Sequence, residues 1–216
     1  AYERARAEQF DQINVDLIAG MVEETEVNWQ RNIEQTLALR PDSVTIYQME
    51  IPYNTTIFKE MKAEGKLVAP VADWRTKRRW VKEAFAALES AGYAVASGYT
   101  AVLDPQRTKF VYRDALWSGA DLLGLGVASL SHAAGVHYQN LPEWDDYISA
   151  LLERKELPLG RAMRPTKNQN LIREMILQLK RGYLDISYFK TKYGVHIVEN
   201  WQQQWQQHVD DQMLTI

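Results

Sequence analysis

The sequence predicts an α/β protein in which two neighbouring strands of a parallel barrel are followed by a mainly helical region. Two β-rich runs, residues 13–19 and 44–51, lie on either side of a segment with helical periodicity. Strand, helix and strand in this order form a βαβ unit, which implies parallel pairing through a right-handed crossover. From residue 140 onward, helical patterns dominate. Two or three strands cannot close a barrel and are rarely stable alone, so we expect the chain to be part of a larger molecule.

The helix between the two strands has apolar residues at four-residue spacing: Trp29, Ile33 and Leu37. Thr25 or Asn28 can cap its start, and Pro41 ends it. A loop with Pro52, Asn54 and Pro70 then leads to a long helix at residues 73–91. The buried stripe of this helix is predicted to comprise Trp80, Ala84, Phe85 and Leu88. Gly92 fits the position after its end, and residues 93–102 form another β-like run.

The chemistry of the chain changes after this run. Residues 104–109 are a turn-rich polar connection, and residues 121–131 are an apolar run interrupted by glycines. Helices are predicted near residues 142–153, 166–181, 185–193 and 198–212. Thr166 and Gln169 have the spacing of a capping box. We therefore predict a barrel portion at residues 1–104 and an accessory and helical portion at residues 105–216.

Composition excludes several classes of function. A net charge of −3 and a pI near 5.9 give no electrostatic reason to expect nucleic acid or an anionic membrane as partner. The longest apolar runs are about half a bilayer span. With no cysteine, the chain has neither disulfides nor thiolates for zinc or an iron–sulfur cluster. No secretory signal is evident, so a cytoplasmic protein is expected, and the missing initiator Met suggests a chain cut from something longer.

Asp16 is the first candidate site residue because it interrupts an apolar strand. In a strand Asn14, Asp16 and Ile18 share one face, and their neighbours share the other. Parallel-barrel enzymes place binding residues at the C-terminal ends of strands. A carboxylate on the lumen side can accept both hydroxyls of a ribose, because its two oxygens match a vicinal diol. The alternative is an Asp that caps a neighbouring loop.

Gln48 and Glu50 are candidates at the end of the next strand, where they share a face with Val44 and Ile46. One polar residue at such a position is common. Polar residues on two adjacent parallel strands indicate a site more strongly.

Arg113, Gly124 and Gly126 are candidates for substrate binding in the second portion. Arg113 could hold a substrate carboxylate through two hydrogen bonds, although a surface salt bridge explains it equally well. Gly124 and Gly126 form a GxG that lacks the third glycine of a dinucleotide fingerprint. We prefer to interpret it as a packed strand whose glycines admit another backbone or a flat ligand.

Three further groups favour structural interpretations. His132 and His137 lack the acidic companions of a metal site, so solvated or core histidines are favoured. The basic cluster at residues 75–82 is interpreted as the solvated face of the long helix. Trp201 and Trp205 are one helical turn apart, as packing residues are.

Several segments together resemble the oxygen-independent coproporphyrinogen III oxidase family of radical S-adenosylmethionine enzymes. The segments are Asn14-Val15-Asp16-Leu17-Ile18-Ala19-Gly20-Met21, Tyr47-Gln48 with Pro52 and Thr55, Trp117-x-Gly119-x-Asp121 with the following Leu122–Ser129 run, and Tyr193-Gly194-Val195. They occur in order over nearly the whole chain. No single motif decides the matter, but their collinearity is fairly specific.

The resemblance implies a partial (β/α)6 barrel that holds a [4Fe–4S] cluster and S-adenosylmethionine, with a helical C-terminal domain over its opening. It implies that Asp16 binds the ribose of the cofactor and that Ile18 lies against the adenine. The strand end at Gln48 and Glu50 would contact the adenine through backbone groups. The cysteine motif of the family and its first strands are missing here, so this chain alone is expected to bind no cluster and to be inactive.

The implied reaction of the full-length parent is oxidative decarboxylation of propionate side chains on a porphyrinogen, with Arg113 at a substrate carboxylate. An electron-donor protein is a further implied partner. The turn after Gly20 departs from the usual Leu-Pro-x-Gln-Thr. Residues 112–117 retain only the tryptophan of the His-Asn-x-x-Tyr-Trp found in the haem-chaperone branch. A radical methylase and a non-catalytic haem-binding or haem-delivery protein remain as alternatives.

Overall fold

The computed structural model describes residues 1–52, 55–63, 65 and 71–216. Asn54 and Pro70 of the predicted loop lie outside these residues. The chain divides into two compact units, Ala1–Lys109 and Phe110–Ile216. In the described ranges, no helix combines the length and the apolar content needed to cross a bilayer.

The first unit is a four-stranded sheet with helices on one face. Its elements are α1 (Tyr2–Ala7), β1 (Asn14–Ala19), α2 (Glu26–Leu39), β2 (Ser43–Gln48), α3 (Thr56–Ala63), α4 (Trp74–Ser90), β3 (Ala94–Val95) and β4 (Thr100–Val102). The strand order is β1-β2-β4-β3. The predicted parallel pairing of β1 with β2 is confirmed, whereas β4 runs antiparallel to β2.

The run at residues 93–102 is not the single strand that was predicted. It folds into a short hairpin in which β3 pairs antiparallel with β4. The backbone N–H groups of Ala96 and Ser97 both donate to the carbonyl of Thr100, at 2.8 and 3.2 Å. These bonds reverse the chain and bring Tyr99 beside β2, where its carbonyl accepts from the N–H of Ile46 at 2.7 Å.

Helices α2 and α4 bury one face of the sheet. The rings of Trp29 and Trp80 stack with centroids 5.9 Å apart. They form one buried core with Ile33, Ala84, Leu88 and apolar residues of the strands. Of the predicted stripe, Trp80, Ala84 and Leu88 are buried, and Phe85 packs partly buried against them. Thr25 rather than Asn28 caps α2, because its hydroxyl accepts from the N–H of Asn28. Gly92, with φ +90°, follows α4 as predicted.

The second unit contains a sheet that the sequence did not predict. Its elements are α5 (Val111–Trp117), β5 (Leu130–Ala133), β6 (Val136–Asn140), α6 (Trp144–Ser149), a π-helical turn (Ala150–Arg154), β7 (Leu159–Met163), α7 (Lys167–Leu179), α8 (Ile186–Tyr193), α9 (Ile197–Asn200) and α10 (Gln202–Asp210). Strands β5, β6 and β7 form an antiparallel sheet. Every residue of β7 is exposed, so it lacks the alternation of apolar and polar residues that reveals a strand.

The helices of the second unit follow the sequence more closely. The capping box of Thr166 and Gln169 is confirmed, since both of its hydrogen bonds form. Leu171, Phe189, Tyr193 and Ile197 form the buried helical core. The mixed α/β class is therefore confirmed, with a small sheet added to the helical region.

The ion pair between Glu26 of α2 and Arg79 of α4 should make stability depend on pH. Hydrogen bonds from Arg79 and then Trp80 hold the pKa of Glu26 below its ordinary value. A lowered folded-state pKa stabilises the protein above the unfolded pKa, about 4.3 for Glu, and this contribution is lost as pH falls through the folded value. We expect Glu26→Gln to lower the melting temperature at pH 7, and this difference from wild type to shrink below about pH 4.

Melting followed by circular dichroism between pH 7 and pH 2 measures this effect. Glu34→Gln, an exposed position on the same helix, is the matched control and should melt like the wild type. A Glu26→Gln difference that does not change with pH would contradict the assignment.

Candidate functional site

The candidate site is the open face of the first sheet, which lies opposite α2 and α4. Along β1 the residues Val15, Leu17 and Ala19 turn toward the helices, while Asn14, Asp16 and Ile18 are exposed. The register pairs Asp16 with Thr45 and Ile18 with Tyr47. Partners in register share a face, so the open face of β2 carries Ser43, Thr45 and Tyr47.

Asn14 sets the orientation of the Asp16 carboxylate. The side-chain nitrogen of Asn14 donates to Oδ1 of Asp16 at 2.6 Å. Its Oδ1 accepts from the hydroxyls of Ser43 at 2.8 Å and Thr45 at 3.1 Å. A carboxylate only accepts hydrogen bonds, so the contact with Asp16 fixes which end of the Asn14 amide is nitrogen. In the described part of the chain Oδ2 of Asp16 has no hydrogen-bond partner and is left for a ligand. Among the described residues Asp16 does not cap a loop, so that alternative is wrong.

Two tyrosines stand beside this carboxylate. The rings of Tyr47 and Tyr99 lie 6.2 Å apart at an angle of 31°. Burial, then the charge of Asp16 and the nearness of Tyr99, raise the pKa of Tyr47. Tyr47 is 46% exposed and Ile18 42% exposed. A carboxylate that matches a diol lies beside apolar surface that can cover a planar base. Tyr99 is a residue of this candidate site that sequence reasoning missed, because only the hairpin brings it beside Tyr47.

The sheet does not enclose this face. Asp16 was expected on the lumen side of a barrel, but the four strands form an open sheet on which it is exposed. The geometric relation of the two predicted strands is nevertheless as expected, since they are adjacent and parallel.

Gln48 and Glu50 are not brought to the face that carries Asp16. Gln48 lies on the helix-facing side with Val44 and Ile46, as its parity predicted. Its Oε1 is buried and has no hydrogen-bond partner in the described part of the chain. Glu50 lies beyond the last residue of β2 and is exposed. If these residues bind a ligand together with Asp16, they do so from the strand end.

Hydrogen bonds on both sides fix the end of β2. The N–H of Met49 donates to the carbonyl of Ala19 at 2.8 Å, and the carbonyl of Met49 accepts from Nζ of Lys77 at 2.7 Å. At the end of β1, the N–H groups of Gly20 and Met21 donate to the carboxylate of Glu24 at 2.7 and 3.1 Å. Lys77 is 3% exposed, so the prediction that residues 75–82 form a solvated face is wrong for this residue.

Arg113 belongs to the second unit and is largely committed to protein groups. Its Nε and Nη2 lie 3.0 and 2.9 Å from Oδ1 of Asp114. The guanidinium lies 4.3 Å from the ring centre of Phe110 and 5.0 Å from that of Trp117. Nη1 is buried and, within the described residues, has no partner. A substrate carboxylate would therefore have to reach this one nitrogen or displace Asp114.

The glycine-rich run is a loop rather than a strand, and protein groups occupy its backbone. A Cβ on Gly124 would lie 2.4 Å from the carbonyl oxygen of Leu130, so the predicted close backbone approach is present. The N–H of Gly124 donates to Ser131, and that of Gly126 donates to Tyr147. The amide of Asn140 donates to both glycine carbonyls, at 3.3 and 2.9 Å.

The remaining candidates are structural. His132 and His137 pair across β5 and β6, and Nε2 of His132 lies 3.1 Å from Oδ1 of Asn170. Of the residues described, no three His, Asp or Glu side chains are grouped to hold a metal ion. Trp201 packs on the helical core, and Trp205 donates to the carbonyl of Ile197 at 2.8 Å.

The fold of this chain matches part of a solved structure of a radical SAM enzyme. The solved structure is coproporphyrinogen III oxidase (HemN) from Escherichia coli, matched with a TM-score of 0.73 and 20% identity over 96% of this chain and 49% of that one.

The sequence relatives include oxidases of this name and a heme chaperone. Oxygen-independent coproporphyrinogen III oxidase from Pseudomonas aeruginosa is 23% identical over 94% of this chain and 45% of its own length. The heme chaperone HemW from Bacillus subtilis is 23% identical over 90% of this chain and 50% of its own length. No family model matches the chain. The resemblance expected from the motifs is confirmed, and the chain spans about half the length of these relatives.

Gly20 should tolerate no side chain, because Lys77 lies against it. Its φ is +85°, and a Cβ would lie 2.6 Å from Cγ and Cδ of Lys77. We expect Gly20→Ala to lower the free energy of unfolding by about 2–4 kcal/mol, from backbone strain plus overpacking. Gly182, with φ +86° and open space around it, is the matched control and should cost about 1 kcal/mol on mutation to Ala. Chemical denaturation measures both, and equal losses would show that the contact with Lys77 is unimportant.

Proposed function

We propose that this chain supplies the nucleoside-binding strands of a radical SAM oxidoreductase that acts on a porphyrinogen or related tetrapyrrole. The observation that carries the proposal is the Asp16 carboxylate, held by Asn14 beside Tyr47 on adjacent parallel strands. In this proposal the first unit is the C-terminal part of the barrel, and the second unit is the accessory region.

The residues of the open face fit the nucleoside part of S-adenosylmethionine. Oδ2 of Asp16 can accept a ribose hydroxyl while Oδ1 stays bound to Asn14. Ile18 and Tyr47 supply apolar surface for the adenine. The backbone groups of Gln48 and Glu50 lie at the strand end, where they can reach the edge of the base. When bound at a reduced cluster, this cofactor supplies the radical that abstracts a hydrogen atom from the substrate.

The residues of this chain do not fit a [4Fe–4S] cluster. Such clusters are held by cysteine thiolates, and the 216 residues contain none. Any cluster would need ligands outside this sequence, so we propose that these 216 residues by themselves do not cleave the cofactor. Their proposed contribution is to bind and orient the nucleoside.

The tetrapyrrole substrate is supported by what the relatives are named and by Arg113. In the proposed reaction a hydrogen atom is abstracted from a propionate side chain, and loss of CO2 together with transfer of one further electron to an external acceptor leaves a vinyl group. Nη1 of Arg113, enclosed and unpaired among the described residues, is the group we propose for a substrate carboxylate. An electron-donor protein would be a further partner of the complete enzyme.

A haem-binding or haem-delivery protein is the second candidate. The similarity to the Bacillus subtilis heme chaperone favours it, and so does an apolar cavity of about 560 Å³ in the second unit. Five leucines line this cavity: Leu123, Leu125, Leu151, Leu157 and Leu159. Its size and lining are those of a small-molecule site.

Replacing Asp16 should remove recognition of the ribose diol. We expect Asp16→Asn to weaken adenosine binding about tenfold to a hundredfold, because hydrogen bonds to a charged group contribute about 1.5–3 kcal/mol. Wild type should prefer adenosine to 2′-deoxyadenosine, and Asp16→Asn should lose this preference. Isothermal titration of both nucleosides measures it, with Glu34→Gln as control. Equal binding by wild type and Asp16→Asn would overturn the assignment of Asp16.

Activity separates the two candidate functions. The complete product of the gene, reconstituted anaerobically with iron and sulfide, should produce 5′-deoxyadenosine from S-adenosylmethionine and release CO2 from coproporphyrinogen III. No cleavage of the cofactor by properly loaded protein would discard the enzyme proposal. Stoichiometric haem binding in the Soret band without such cleavage would favour the haem-binding candidate.

A further inference from the structure

Lys77 is a buried cation beneath the C-terminal ends of β1 and β2. It lies on α4, yet only 3% of it is exposed. Its aliphatic chain lies over Gly20, where the absence of a Cβ leaves space for it. Within the described ranges, no carboxylate forms an ion pair with it. Burying an ammonium group without an opposite charge costs free energy, so the contacts of this ammonium group matter.

The ammonium group has two neighbours among the described residues. It donates to the carbonyl of Met49 at 2.7 Å and lies 3.8 Å from the ring centre of Trp74. Met49 is the first residue after β2, and its N–H is already bound to Ala19. Lys77 therefore completes the fixation of the peptide group that leads from the strand into Glu50.

A hydrogen bond from a cation also changes the chemistry of that peptide group. The carbonyl of Met49 and the N–H of Glu50 belong to the same amide. A charge-assisted bond to the oxygen is stronger than a neutral one and polarises the amide. This makes the N–H of Glu50 a better donor toward an acceptor at the strand end.

We infer that Lys77 is a positioning residue for recognition of the adenine edge, acting through the Met49–Glu50 peptide. The inference rests on the proposed function of the open face. Lys77 itself does not contact the ligand, because its ammonium group is covered by Trp74 and Met49. Its role is to hold the strand end in place and to strengthen one backbone donor.

Lys77→Met tests the inference, because it keeps the length and apolar body of the side chain and removes the charge. The probes are adenosine and 1-deazaadenosine, in which a C–H group replaces the ring acceptor N1, titrated into the 216-residue chain. Wild type should bind adenosine about tenfold more tightly than 1-deazaadenosine, which corresponds to one hydrogen bond to the ring nitrogen. Lys77→Met should lose this discrimination and still bind both nucleosides through Asp16. The Glu50 amide resonance should shift when adenosine is added to wild type, and this shift should be smaller in Lys77→Met.

Lys82→Met is the matched control, since Lys82 is exposed on the same helix, and it should discriminate like the wild type. Trp74→Leu is a second variant that removes only the ring over the ammonium group. Trp74 is 47% exposed, so its loss should leave the fold intact and lower the discrimination about threefold by admitting water.

The outcomes separate the two proposals. If wild type binds neither nucleoside, the proposed function of the open face fails, and this inference fails with it. If wild type binds and Lys77→Met discriminates as well as wild type, Lys77 has only a packing role and the inference alone is overturned. If Lys77→Met does not fold, full discrimination by Trp74→Leu overturns the inference.

Discussion

The parallel register of β1 against β2 is the constraint on which the candidate site depends. Because Asp16 pairs with Thr45 and Ile18 with Tyr47, a carboxylate, an aliphatic side chain and an aromatic ring stand on one face. A slip of one residue would exchange the two faces of a strand. The stacked Trp29 and Trp80 prevent this, since they pack against the apolar face and leave only the polar face for a ligand. The same register therefore determines which residues face the core and which form the candidate site.

At the ends of β1 and β2, the contacts involve the backbone as well as side chains. Gly20 has no Cβ, and the side chain of Lys77 occupies the space that a Cβ would fill. The ammonium group of Lys77 donates to the carbonyl of Met49. A glycine that looks like a simple turn residue in the sequence thereby admits a buried cation. Among the described residues, a carbonyl and an aromatic ring rather than a carboxylate offset the energetic cost of that cation.

In the second unit, residues that carried the family resemblance have structural explanations. Gly119 has φ +82°, and a Cβ there would lie 2.7 Å from the carboxylate of Glu174 and the hydroxyl of Tyr188. Glu174 is buried and bound to Lys192 at 2.8 Å and to Tyr188 at 2.7 Å. Gly124 likewise admits the carbonyl of Leu130. Packing within the second unit therefore requires glycine at both positions, since a Cβ at either one would overlap a neighbouring group.

The sequence by itself determined the features that depend on local periodicity. These are the two parallel strands, the faces of Asp16 and Gln48, the buried stripe of α4, and the capping box at Thr166. Only the tertiary structure decided which residues meet from distant parts of the chain. Tyr99 lies at the candidate site because the run around it folds into a hairpin. Lys77 is buried instead of solvated because the absence of a Cβ on Gly20 leaves space for its side chain. The sheet of β5, β6 and β7 also escaped prediction, since β7 is exposed along its length. Alternation and helical spacing are properties of neighbouring residues, whereas strand pairing and close backbone approach depend on partners far away in sequence.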